Sequence, residues 1–272
     1  MNVYISADIE GVAGIAAWEQ VLPGHEDYPI GRRLMAGEVN AAIAGAFEAG
    51  ATRVVVNDSH ATMTNLIPDE IDPRAELILG RYKPMYMLEG LDGSFDAAFF
   101  IGYHGAIGAP HAVLSHSYSP AAIWESKVDG RVVGEIGIND LVCRHFGVPL
   151  VLVSGDQVTV QEARDLKRNV QAVQTKTSFS RFSASNLSPD AARGAISRGA
   201  NAALKSLSPE AGGPGEATVE LTFLTADMAE SATWVKGVEA VGPRQVRFTS
   251  PDGLTAYRTF YTILRLMRSI PE

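Results

Sequence analysis

Along the first residues the apolar positions Val3, Ile5 and Ala7 alternate with Tyr4 and Ser6, a period of two that predicts a short strand. Met35, Val39, Ile43 and Phe47 then recur every four residues, predicting an amphipathic helix over 32–49 that Gly50 ends. A near-continuous β-branched run over 52–57 reads as the next strand. Strand, helix and strand at this spacing predict a crossover unit in a parallel sheet covered on both faces.

The same reading continues along the chain. Short apolar runs predict strands at 77–79, 97–103 and 150–153, and a further strand over 170–176. Residues 83–92 read as a loop entering a short helix, and 122–133 as a hairpin turning at Asp129-Gly130. Helices are expected from Gly134-Glu135 to about His145 and over 157–168. Past residue 180 the texture changes: a polar stretch over 180–185, a helix over 189–206 and a Pro/Gly linker over 208–215. Strands near 219–224 and 245–248 and helices near 225–233 and 252–268 complete the chain. The expectation is an α/β fold: a largely parallel sheet with helices on both faces over 1–180, and a smaller C-terminal α+β part over 181–272.

Candidate chemistry gathers where the strands end. If the first strand stays extended through Glu10, the carboxylates of Asp8 and Glu10 leave one face roughly 6.6 Å apart. Two such charges repel, so a proton, a basic group or a metal ion must compensate them. The second strand runs into Asn57-Asp58-Ser59-His60 and a later one into His104, both at the edge where open α/β sheets place ligands. His116 is flanked by Ser115 and Ser117 and anchored by Val113-Leu114. Glu135 opens a helix, where it either complements the dipole or points at a cation. His25 and His111 read as surface residues, and His145 as a partner of its helix's C-terminus.

Carboxylates mixed with imidazoles and no thiolate suit zinc in a catalytic role. Asp8, Glu10, His60, His104 and Glu135 exceed the roughly three protein ligands of one open zinc, so two ions sharing a carboxylate is the economical arrangement. The 272 residues suffice for a sizeable core, and 46% hydrophobic with 20% charged residues is ordinary for a globular chain. Cys143 is the sole cysteine, which excludes an intrachain disulfide and fits a reducing compartment. With no signal-peptide pattern and no apolar run near the ~18 residues of a membrane span, the expected location is the cytoplasm. A formal net charge of −8 without a Lys/Arg cluster in the sequence sets aside nucleic acid and anionic membrane as partners.

Over 1–180 the chain resembles the D-aminopeptidase family of zinc metallopeptidases, of the bacterial dipeptide-transport-operon type. The resemblance rests on Ser6-Ala7-Asp8-Ile9-Glu10-Gly11, Val56-Asn57-Asp58-Ser59-His60, Glu89-Gly90-Leu91-Asp92, Gly102-Tyr103-His104, Ser115-His116-Ser117 and Gly134-Glu135, in the family's order and at similar spacing. It departs mainly in the loops 11–29 and 106–111 and in the C-terminal part. The resemblance implies a dizinc site held by Asp8, Glu10, His60, His104 and Glu135, His116 as the catalytic side chain, and a ring-shaped homo-decamer.

The expected activity is release of N-terminal residues from short peptides such as D-Ala-D-Ala, with His116 as general base or nucleophile. Glu89 is the candidate partner for the substrate's ammonium. The alternatives are an L- or Gly-specific aminopeptidase, another dinuclear-metal hydrolase acting on a phosphoester or non-peptide amide, or a non-catalytic α/β module.

Overall fold

The computed structural model describes residues 1–167, 169–208, 213 and 215–268. Its strands are β1 (Asn2–Ala7), β2 (Arg53–Asp58), β3 (Glu76–Ile78), β4 (Ala97–Ile101), β5 (Ile123–Val128), β6 (Arg131–Val132), β7 (Leu150–Asp156), β8 (Gln171–Ser180), β9 (Ser183–Asn186), β10 (Ala217–Phe223), β11 (Glu239–Gly242) and β12 (Gln245–Ser250). Its α-helices are α1 (Tyr28–Glu48), α2 (Glu135–Phe146), α3 (Gln157–Leu166), α4 (Pro189–Lys205), α5 (Ala226–Ala232) and α6 (Gly253–Met267).

Seven strands form the main sheet in the order β3-β2-β1-β4-β7-β8-β9, parallel throughout except for the β8–β9 pair. The buried β-branched run of β2 belongs at such a doubly covered position. On one face Val3, Ile5, Val54, Val56 and Phe99 pack against Met35, Val39 and Ile43 of α1 and Ile196 of α4. On the other, Tyr4, Val55 and Phe100 share a core with Ile138 and Leu141 of α2 and Phe260 and Leu264 of α6. The expected α/β class, with a largely parallel sheet between helical layers, is the one found.

A second, antiparallel sheet runs β11-β12-β10-β5-β6. It takes β5 and β6 from before residue 180 and β10, β11 and β12 from after it, while α4 packs on α1. The hairpin of β5 and β6 turns at Asp129 and Gly130, whose φ values of 51° and 78° are those of a type I′ turn.

Several boundaries differ from the sequence reading for identifiable reasons. Helix α1 begins at Tyr28 because Pro29 sits in the first turn, where its missing N–H costs no helical hydrogen bond. The polar stretch 180–185 mostly forms the β8–β9 hairpin, held by backbone pairing that needs no apolar alternation. Strand β11 escapes prediction for the same reason. Arg168 and most of the expected linker over 208–215 lie outside the described residues. No helix among the described residues is long and apolar enough to cross a membrane.

Candidate metal centre

Strands β1, β2 and β4 end in register, with Ala7 paired to Asp58 on one side and Ile101 on the other. Each is followed by a candidate ligand: Asp8, His60 and His104. Beneath them the Ser6 hydroxyl lies 2.7 Å from both the Ser59 hydroxyl and the Tyr103 hydroxyl, joining the ends of all three strands. Asn139 of α2 donates to the Tyr103 hydroxyl at 3.0 Å and accepts from the Tyr118 hydroxyl at 2.6 Å. This buried network ties the strand ends to the helix that begins with Glu135. Asp58 accepts the backbone N–H groups of Asn65 and Leu66, and Asn65 donates to the His60 carbonyl at 2.7 Å, fixing the loop that carries His60.

The chain does not stay extended through Glu10. It leaves the strand at Asp8 and turns, with the Val12 N–H donating to the Ile9 carbonyl at 3.1 Å. Gly11 donates to the Gly102 carbonyl at 2.8 Å, and a Cβ on Gly11 would stand 1.8 Å from the Tyr103 carbonyl oxygen. Gly102 has φ of 74°, and a Cβ there would meet the Asp8 carbonyl at 2.3 Å. These two glycines let the post-β1 and post-β4 loops touch, and the turn brings both carboxylates onto one imidazole. Asp8 Oδ1 and Glu10 Oε2 each lie 3.2 Å from His60 Nδ1.

The rest of the cluster follows the same plan. His104 Nε2 lies 3.6 Å from Asp8 Oδ2 and 3.6 Å from Glu135 Oε1. His116 Nε2 lies 3.6 Å from the same Glu135 oxygen and 4.0 Å from Glu10 Oε1. The opposite nitrogen of each ring faces a backbone carbonyl: His60 Nε2 that of Val21 at 2.8 Å, His104 Nδ1 that of Gly105 at 3.0 Å, and His116 Nδ1 that of Leu114 at 2.9 Å. An N–H donated there leaves each inner nitrogen with its lone pair towards the carboxylates, the orientation a metal-binding histidine needs.

Separations of 3.6 Å are too long for hydrogen bonds, and His104 Nε2 and Glu10 Oε2 are buried without one. Donors about 2.0–2.2 Å from a tetrahedral zinc stand roughly 3.3–3.6 Å from one another. The histidine–carboxylate separations of 3.2–3.6 Å are close to that spacing. Two triads, Asp8–Glu10–His60 and Asp8–His104–Glu135, each bring their donor atoms within 4.8 Å of one another and share Asp8; a third grouping is Glu10–His104–His116. The donor set and its orphaned atoms fit zinc.

Among the protein groups alone the charges are unbalanced. Burial, followed by the Glu10 charge, pushes the Asp8 carboxyl up to about 7. Burial would raise Glu10 too, but His60 beside it, with His104 and His116, holds it well below the usual carboxylate range. Burial opposes charge on His104, yet Glu135, Glu10 and Asp8 raise it to about 10. His116 goes the other way: burial and the neighbouring His104 lower its pKa, so a neutral ring is favoured.

Asp8, Glu10, His60, His116 and Glu135 line a cavity of about 590 Å³, together with Trp18, Tyr86, Tyr118, Arg81 and Arg268. His104 is 1% exposed and lies behind the cavity wall, whereas His116 is 9% exposed and forms part of it. Trp18 braces His116 edge-on, ring centroids 5.7 Å apart. Of the regions where the sequence departs from the family pattern, 11–29 contributes Trp18, Leu22 and Pro23 and the C-terminal part contributes Arg268. The 106–111 loop lines a different cleft.

Glu89 is not brought to the cavity. Its carboxylate accepts the Met85 N–H at 2.6 Å across the single 3-10 turn 86–88, a local closure, and it is not among the residues lining the cavity. Tyr118 and Arg268 escaped the sequence reading because no motif marks them. Only the fold places the Tyr118 N–H 2.7 Å from Glu135 Oε1 and Arg268 beside Tyr86.

A family model described as D-aminopeptidase matches residues 1–262. A D-aminopeptidase of Bacillus subtilis (strain 168) is 36% identical over 273 residues, covering 98% of this chain and 97% of the relative. A solved structure, described as the Zn-dependent D-aminopeptidase DppA from Bacillus subtilis, a self-compartmentalizing protease, matches with a TM-score of 0.94 at 34% identity, covering 100% of both chains.

Proposed function

The chain belongs to the D-aminopeptidase family of metal-dependent peptidases, and on that premise we propose that it is a dizinc aminopeptidase releasing N-terminal D-residues from short peptides. The observation that carries the reading is the pair of ligand triads sharing Asp8 at the floor of one cavity. Asp8, Glu10 and His60 would hold one ion, and Asp8, His104 and Glu135 the other. When bound, the ions supply Lewis-acid polarisation of the scissile carbonyl and activation of the attacking water.

The chain's own residues supply the rest. His116 presents a neutral imidazole with Nε2 towards the cluster and Nδ1 tied to the Leu114 carbonyl. It takes a proton from the attacking water and delivers it to the leaving amine. Among the described residues, the carboxylates lining the cavity are Asp8, Glu10 and Glu135. A substrate's free amino group is therefore received at the cluster itself, which is the selectivity of an exopeptidase. Trp18, Tyr86 and Tyr118 wall the cavity to the scale of a short peptide.

The six residues of the cluster fall between positions 8 and 135, so the stretch 1–180 carries the chemistry and 181–272 supports it. In line with the relative described as self-compartmentalizing, the chain would assemble with its own copies, as a ring-shaped decamer. Trp234, at 74% exposed, and the exposed Phe179 and Phe182 offer surface for such contacts. The single buried Cys143 suits a reducing, cytoplasmic location.

The test is hydrolysis of D-Ala-D-Ala and L-Ala-L-Ala side by side with zinc-loaded protein. Cleavage of the D,D form alone is expected. Preference for the L,L form would keep the mechanism and overturn the stereochemistry, and cleavage of neither would overturn the peptidase.

A further inference from the structure

Arg81 meets Arg265 and Arg268, two arginines one turn apart at the end of α6, around a cleft of about 410 Å³ beside the active-site cavity. Arg81, Arg268 and Tyr86 line both spaces, so the cleft is the cavity's continuation away from the metal centre. Among the described residues none of the three arginines has a carboxylate partner. Lys83, also in the cleft wall, is already committed: its Nζ donates to Asn57 Oδ1, the Asp58 carbonyl and the Ile78 carbonyl. In a chain of net charge −8, unpaired guanidinium groups gathered at one place call for an anion.

Arg268 is the best held of the three. Its guanidinium lies 5.1 Å from the centroid of the Tyr86 ring, and Nη2 donates to the Tyr86 hydroxyl at 2.8 Å and the Tyr118 carbonyl at 3.3 Å. Its Nε and Nη1 have no hydrogen-bond partner among the described residues. A guanidinium fixed on one side and open on the other is pre-organised for a carboxylate. The Tyr118 backbone that accepts from Arg268 also donates its N–H to Glu135, so one residue spans anion subsite and metal ligand. In a dipeptide the terminal carboxylate carbon is two bonds beyond the scissile nitrogen, which suits that short span.

We propose that Arg268 and Arg81 form a subsite for the C-terminal carboxylate of the substrate, making the enzyme selective for dipeptides that end in a free acid. The proposal rests on the peptidase reading and deepens it. The amino group is read at the metal cluster and the carboxylate at the arginines, so both ends of a dipeptide are recognised.

The experiment compares kcat/KM for D-Ala-D-Ala and its C-terminal amide, in the wild type, Arg268→Gln and Arg81→Gln. The wild type should prefer the free acid, and the acid-to-amide ratio should fall about tenfold in Arg268→Gln through KM, the scale of a charge-assisted hydrogen-bonded pair. Arg81→Gln removes an exposed side chain and serves if Arg268→Gln fails to fold; it should lower the ratio in the same direction. An unchanged ratio in the folded variants, or a wild type that prefers the amide, overturns the subsite. A wild type that cleaves neither substrate overturns the peptidase reading, and the subsite with it.

Discussion

The rings of His104 and His116 lie stacked, their centroids 4.1 Å apart and their planes 13° from parallel. Two imidazoles in such contact are poor neighbours if both are charged, and the environment separates them. Glu135, Glu10 and Asp8 raise His104, while burial and His104 itself lower His116. The stack thus sets a fully buried ring behind the cavity wall beside a ring, favoured neutral, that forms part of it.

Substituting each ring separately tests that division. His116→Ala should retain its zinc and lose turnover by about 10²–10⁴-fold, the contribution of a positioned acid–base group. His104→Ala should lose zinc along with turnover. Metal analysis of the purified variants beside their kinetics is the measurement, and near-normal kcat in His116→Ala would end its assigned role.

Tyr103 bridges Ser6 and Asn139 beneath the cluster. Tyr103→Phe leaves both buried groups short of a partner and should cost about 1–3 kcal/mol in chemical denaturation. Zinc affinity should fall with it, because the network aligns β1 and α2, which present Asp8 and Glu135. Unchanged stability would show that the hydroxyl is dispensable.

Glu89 closes a turn outside the cavity, so Glu89→Gln should leave KM for a dipeptide within about twofold, as for a substitution that removes no substrate contact. A large rise in KM with kcat preserved would return Glu89 to the substrate.

Glu162 accepts the Gly134 N–H at 2.6 Å, and burial raises its carboxyl to about 7 from an ordinary value of 4.5. The folded state therefore binds the proton more tightly than the unfolded chain. Its contribution to stability is full below about pH 4.5 and is lost as the pH rises through about 7. Glu162→Gln keeps an acceptor for Gly134 and cannot ionise. Its melting temperature should match the wild type near pH 4.5 and exceed it by a few degrees at pH 8. Parallel curves across that range would contradict the assignment.

What was legible in the sequence follows from how parallel sheets are built. Asp8, His60 and His104 each follow an apolar run, and side-by-side strands bring the ends of such runs together without further information. The turn at Ile9 was not legible, because it depends on contact of Gly11 with the backbone after β4. Glu89 sits in a recognisable motif, but its direction is set by a local hydrogen bond to Met85 that no pattern announces. Arg268 was hidden for a different reason. It comes from the end of α6, in a part of the chain without ligand-type clusters, and reaches the cavity only because α6 packs on α2.

The central claim is that the shared-Asp8 cluster holds two zinc ions and that turnover depends on them. Chelated protein titrated stepwise with zinc, with bound metal and D-Ala-D-Ala hydrolysis followed together, tests it most directly. Turnover should be absent at the start and should reach its plateau as bound zinc reaches two per chain. Undiminished hydrolysis by the chelated protein, or a plateau at one bound zinc, would contradict the account.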